Sequence, residues 1–371
     1  MMTDYLPYGR HIIDDEDIAA VVGVLKGDWL TTGPSVALFE EAVAALAGVE
    51  HAVAVNSGTA ALHCAYHALG IGPGDEVVVP AMTFAATANA VCYCGARPVF
   101  VDVLEDNLLI DPDAIEACIT PKTKAIVGVD YAGHPCDWKA LRSLADRYGV
   151  ALVADACHSI GGALDGEPVG SLADISVFSF HPVKHVTTGE GGMAVTDDAA
   201  LAARMRTFRN HGITSDAAQR EKTHSWYYEM VDLGFNYRIT DIQCALGISQ
   251  LSKLSRWIEK RNELAKQYDA AFMGTGVVPL LQRGNIQHAY HLYVVRCENR
   301  NDLFVRLRTE GIGVNVHYIP VYLHPYYAEK GYAKGLCPVA EKAYGEVLTL
   351  PLWPGMEAAD IERVVQALVM I

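Results

Sequence analysis

The chain has 371 residues, 51% hydrophobic and 20% charged, which suits a large buried core and argues against disorder. Its formal charge, 29 − 44 = −15, lacks the basic stripe that a nucleic-acid surface needs, so no nucleic-acid partner is expected. No apolar run approaches the ~18 residues of a membrane span, no signal-peptide core opens the chain, and the nine cysteines include no Cys-x-x-Cys; a cytoplasmic protein with free thiols is expected.

Taken in chain order, short β-rich runs occur at AVAV (52–55), EVVVP (76–80), PVFVDV (98–103), KAIVGVDY (124–131), ALVADA (151–156), ISVFSF (175–180) and MAVT (193–196). Alanine-rich helical stretches such as TAALHCAYHALG and ATANAVCYCG lie between most of them. Apolar strands alternating with helices predict an α/β fold, a mostly parallel sheet with helices on both faces. The polar, aromatic segment 212–230 reads as a surface loop or a linker. From Asp241 one long amphipathic helix is expected, through DIQCALGISQLSKLSRWIEKRNELAKQYDAAF. Beyond it HLYVVRC and VNVHYIPVY read as strands, and NDLFVRLRTEG and AADIERVVQALVMI as helices. The pattern divides into a large domain over 1–245 and a smaller α+β domain over 246–371.

Parallel sheets place ligands outside the carboxyl ends of their strands, and four of those ends carry chemistry. Ser57, Gly58 and Thr59 follow AVAVN, where they make either a plain helix cap or an anion site. Phe84 follows EVVVP, where an aromatic packs in the core or stacks on a flat ligand. Asp155 ends ALVA and His158 follows one turn later; a carboxylate there needs a partner, which is a helix N-terminus, a metal or a cationic ring nitrogen. No third ligand stands at metal-site spacing, so no metal is expected. Ser179 and Lys184 flank the end of ISVFSF. A phosphate cradle, an aromatic, an acid and a lysine on one rim are the four things pyridoxal 5′-phosphate requires, which reads Lys184 as chemistry rather than surface charge. The run GEGGMA (189–194) matches Gly-x-Gly-x-x-Ala, but a strand follows it where a dinucleotide fingerprint needs a helix.

The motifs NSGTAALH, PAMTFAATANA, VDYAGHPCD, ADACHSIGG, SFHPVKHVTTGEGGMAVT, FRNHGI, GFNYRITDIQCALGISQL and VHYIPVY, in that order, resemble the DegT/DnrJ/EryC1/StrS sugar-nucleotide aminotransferases, of the fold-type-I pyridoxal-phosphate class. The resemblance implies that Lys184 bonds to the cofactor and moves the proton, and that Asp155 holds the ring nitrogen. It further implies that His158 lies near the ring, that Phe84 stacks on it, and that Gly58, Thr59 and Ser179 bind the phosphate. Asn236 would reach the phosphate of a neighbouring subunit, making the active unit a homodimer, and Arg238 and Tyr318 would contact substrate.

Within the family the chain most resembles the branch that aminates UDP-4-keto-6-deoxy-N-acetyl-β-L-altrosamine, with L-glutamate as donor, in pseudaminic acid biosynthesis. Another 4-keto sugar such as UDP-4-keto-L-arabinose, or a non-catalytic regulator on the same fold, are the alternatives. A dehydratase branch carries histidine in place of the lysine, and Lys184 argues against it. His185 stands where many relatives have asparagine, which leaves the contact there open.

Overall fold

The structure, a computed structural model, describes residues 5–215, 220 and 224–369. Its strands are β1 (His51–Val55), β2 (Glu76–Pro80), β3 (Arg97–Val101), β4 (Thr123–Val129), β5 (Ala151–Asp155), the short β6 (Ala163–Leu164) and β7 (Glu167–Pro168), then β8 (Ile175–Ser179) and β9 (Gly192–Thr196). The later strands are β10 (Val278–Pro279), β11 (Ile286–Gln287), β12 (Tyr293–Arg296) and β13 (Val347–Leu350). Seven of them form the central sheet in the order β1-β9-β8-β5-β4-β2-β3, and only β9 runs against its neighbours. The expected mostly parallel sheet is therefore present. Its strands are buried on both faces, as their unbroken apolar character requires.

The single reversal shapes the site. Gly192 opens β9 and pairs with both Val55 at the end of β1 and Ser179 at the end of β8. The turn after β1 thus meets the turn after β8 at one rim. A side chain at Gly192 would lie 2.3 Å from the carbonyl oxygen of Ser57 and 2.6 Å from the amide of Gly58, so only glycine lets these segments cross.

Three further helices matter here: α1 (Asp15–Leu25), α2 (Pro34–Ala47) and α3 (Gly58–Ala68). The long helix expected from Asp241 is instead two helices, Asp241–Leu251 and Leu254–Phe272. At the break Lys253 reaches Asp14 at 2.5 Å and Asp17 at 3.0 Å, while Gln250 donates to Ile12 O at 2.9 Å and Asp17 Oδ2 at 2.7 Å. Satisfying the buried Asp17 carboxylate draws both side chains to the foot of α1, and the backbone bends there.

VNVHYIPVY is not a strand. Asn315 forms a single bridge to Thr349, after which the chain turns into a short helical turn at Val321–Leu323. β13 was hidden because it is only four residues long, Val-Leu-Thr-Leu, and follows directly on the helix that ends at Glu346.

One core lies around the central sheet and takes in Leu254, Ile258, Val321 and Tyr322 from the later chain. A second is built on Leu264, Tyr268, Val295, Leu348 and Val364, with Leu6 joining it. All nine cysteines are free thiols. Among the described residues, no helix is long and apolar enough to cross a membrane. Part of the 212–230 segment lies outside the described residues; its flanks are bridged at Ile213 and Met230.

Candidate active site

Helix α3 begins directly at the end of β1. Ser57 caps it, its Oγ accepting from the amide of Ala60 at 3.1 Å. The amides of Gly58 and Thr59 belong to the first turn, where no intrahelical acceptor exists. A Cβ on Gly58 would lie 2.9 Å from Ser179 Cβ and 3.3 Å from its Oγ, so the bare glycine lets the helix start close against the Ser179 hydroxyl. Two backbone donors and a hydroxyl thus converge at a positive helix end, an arrangement suited to a phosphate.

Asp155 ends β5 and is buried. Its Oδ2 accepts from Thr87 Oγ1 at 2.7 Å, and Thr87 is itself paired with Thr83 Oγ1 at 2.7 Å. The amide of Cys157 lies 3.3 Å from Oδ1. No cation is paired with this carboxylate among the described residues. Beneath it, buried Asp130 accepts from Ser159 Oγ at 2.6 Å, Cys136 N at 2.8 Å and Trp138 Nε1 at 3.1 Å, tying the VDYAGHPCD loop to the turn that carries His158. Burial pushes the Asp130 carboxyl up to about 7.

Beyond β8 the chain loops back, with Thr188 N donating to Phe180 O, and this loop carries Lys184. Its amine is pushed down to about 8 by loss of water, against the opposing pull of Cys157 and Asp155. Nζ stands 3.4 Å from His291 Nε2. His158 Nε2 is 3.1 Å from the Tyr318 hydroxyl. Burial first, then the Lys184 charge, hold both His158 and His291 well below the usual histidine range, so both rings are neutral.

Phe84 is 59% exposed, with its ring 6.0 Å from Tyr318. It is not a core residue, which removes the packing alternative and leaves its face available to a flat ligand. Tyr318 stands beside His158 rather than apart from it.

Asn236 and Arg238 are not joined to this group. Asn236 is exposed, its carbonyl accepting from Asn56 Nδ2 at 3.4 Å, and Arg238 donates to Asn210 Oδ1 at 2.8 Å. His185 has its contact identified: Nε2 lies 2.8 Å from Ala289 O, fastening the lysine loop to the segment that leads into β12.

The chain matches the DegT/DnrJ/EryC1/StrS aminotransferase family over residues 11–369. It belongs to that family. The aminotransferase is 40% identical to the spore coat polysaccharide biosynthesis protein SpsC of Bacillus subtilis, over 98% of this chain and 96% of the relative. The putative sugar aminotransferase Spr1654 of Streptococcus pneumoniae, solved in PMP and PLP forms, is 31% identical; its PMP form superposes with a TM-score of 0.93 over 98% of both chains. Helicobacter pylori PseC, an aminotransferase of pseudaminic acid biosynthesis, is 32% identical and superposes with a TM-score of 0.92 over 99% of this chain and 98% of that one.

The protein is therefore a pyridoxal-phosphate-dependent sugar aminotransferase of fold type I. Its residues fit the cofactor. The rim offers a buried acid without a cationic partner, an amine with a lowered proton affinity, open amides at a helix start and an exposed aromatic.

Three contributors were not legible beforehand: His291, Thr87 and Asp130. Thr87 carried a weak signal, standing one turn after Thr83 in TFAAT.

Proposed function

We propose that this aminotransferase moves the amino group of L-glutamate to C4 of a 4-keto nucleotide sugar, UDP-4-keto-6-deoxy-N-acetyl-β-L-altrosamine. The observation that carries the reading is the pairing, on one rim, of the buried carboxylate Asp155 with the lowered amine of Lys184. The choice of sugar is supported by the likeness of VDYAGHP and VHYIPVY to the pseudaminic branch, and by the likeness to PseC.

The bound cofactor supplies an electron sink for the bonds at the reacting carbon. Asp155 would keep the cofactor's ring nitrogen protonated, Gly58, Thr59 and Ser179 would hold its phosphate, and Phe84 would stack on its ring. Lys184 Nζ, neutral above about pH 8, removes the α-proton of glutamate and later returns a proton at C4 of the sugar. His158 and Tyr318, joined at 3.1 Å, line the approach as neutral hydrogen-bonding groups. The balance is glutamate and keto sugar in, 2-oxoglutarate and amino sugar out.

Incubation with glutamate and each of two keto sugars tests the substrate. The altrosamine derivative is expected to be preferred over UDP-4-keto-L-arabinose, by as much as ~10⁴-fold if the pocket hydrogen-bonds the N-acetyl group. A preference for the arabinose derivative would overturn the choice of sugar and leave the aminotransferase intact.

The working form in this reading is a cytoplasmic homodimer with shared sites. Trp226, Met230 and Leu233 are 85%, 67% and 78% exposed just before Asn236, an apolar surface that a second copy would cover. Mixing Lys184→Ala with Asn236→Ala subunits, each inactive alone, is expected to restore activity, since one site per mixed dimer is intact. A fully active monomer would refute the shared site.

A further inference from the structure

We propose that His291 is a positioning residue for Lys184: its Nε2 is the seat that holds the lysine amine while that amine is not bonded to the cofactor. The inference rests on the reading of Lys184 as the catalytic lysine. His291 Nε2, at 3.4 Å, is the hydrogen-bonding partner of Nζ among the described residues. Without such a seat, the flexible four-carbon stem is free to swing among rotamers.

The seat itself is fixed. His291 is 5% exposed, and its ring lies 4.4 Å from that of His158 and 5.7 Å from that of His185. Its Nδ1 has no hydrogen-bond partner among the described residues, so the contact to Lys184 is the polar use of this buried ring. Were His291 only a core filler, an apolar side chain of similar volume would serve without leaving a polar atom unpaired. The backbone is braced as well. The Arg261 guanidinium donates to Tyr290 O at 3.0 Å and His291 O at 3.4 Å, and Leu292 N donates to Ala132 O at 3.1 Å.

Burial, with Lys184 and Arg261 as the cationic neighbours, keeps the seat neutral. The ring faces Lys184 and His185 from the lysine loop, His158 from the turn after β5, and Arg261 from the helix Leu254–Phe272. Burial and these four groups oppose a charge on His291, so it does not compete with Lys184 for the proton. Lys184 faces Asp155 and Cys157 on its other side.

The test uses the full chain labelled with ¹⁵N-histidine, without cofactor, so that its first readout is independent of activity. The His291 Nε2 resonance is expected to move when Lys184→Met removes the amine, and to show an inflection near pH 8 that follows Lys184. In single-turnover experiments on the loaded enzyme, His291→Leu is expected to slow both half-reactions roughly 10- to 100-fold, the scale of a misplaced catalytic group. Glutamate affinity should stay within about twofold, and His291→Gln, which keeps a hydrogen-bonding group, should recover part of the rate.

An Nε2 resonance indifferent to Lys184→Met would overturn the proposal, even if His291→Leu failed to fold. Equal losses in the Leu and Gln variants would also overturn it. Failure of Lys184 to carry the cofactor is read separately, by peptide mapping of the reduced enzyme.

Discussion

Replacing Asp155 by asparagine is expected to lower turnover by roughly 10²–10³-fold, the scale seen when one preorganised electrostatic group is removed, while leaving the fold and the cofactor in place. The fold survives because the amide oxygen can still accept from Thr87 Oγ1, which donates to the carboxylate at 2.7 Å. What is lost is the negative charge that would keep a proton on the cofactor's ring nitrogen, and among the described residues no other carboxylate is hydrogen-bonded to this threonine pair. Steady-state kinetics with a thermal midpoint for each variant separate the two effects. Near-normal turnover would mean that Asp155 is a capping acid for the turn at Cys157, a role its 3.3 Å contact to that amide would otherwise explain.

The larger loss is expected for Lys184→Ala. Positioned proton transfer alone is worth about 10²–10⁴-fold, and the variant also loses the covalent tether, so transamination should fall to background. Stability should hardly change, because among the described residues Nζ makes one long hydrogen-bonding contact, and burial disfavours its charge. The measurement is 2-oxoglutarate formed per enzyme, alongside circular dichroism. Turnover within tenfold of the parent would reject Lys184 as the proton carrier.

The parts legible in sequence were those encoded locally. Asp155 ends a short apolar strand, and Gly58, Phe84 and Lys184 each follow one within a few residues, so the rule that parallel sheets bind ligands at their carboxyl ends located them together. The reversal of β9 sharpens that rim, yet MAVT reads the same in either direction. His291 was missed because it lies 107 positions from Lys184 and meets it only through the packing of the β12 segment on the lysine loop. Lys253 was missed for a related reason: its helical periodicity continues across the break, and the acids that bend the chain there, Asp14 and Asp17, lie at the other end of the sequence. VNVHYIPVY alternates like a strand, but its side chains are held from two directions: His317 Nδ1 lies 2.8 Å from Thr349 Oγ1 of β13, and Tyr318 meets His158 at the site.

Reduction of the loaded enzyme with borohydride, followed by peptide mapping, tests the central claim most directly. The cofactor should be fixed to the single peptide carrying Lys184, at about one per chain, and absorbance of the bound cofactor should be lost in step. Lys253 is the instructive control, since its ammonium is held by Asp14 and Asp17 and its proton affinity is raised despite burial. Cofactor fixed to Lys253 or any other lysine, or no peptide labelled at all, would contradict the account.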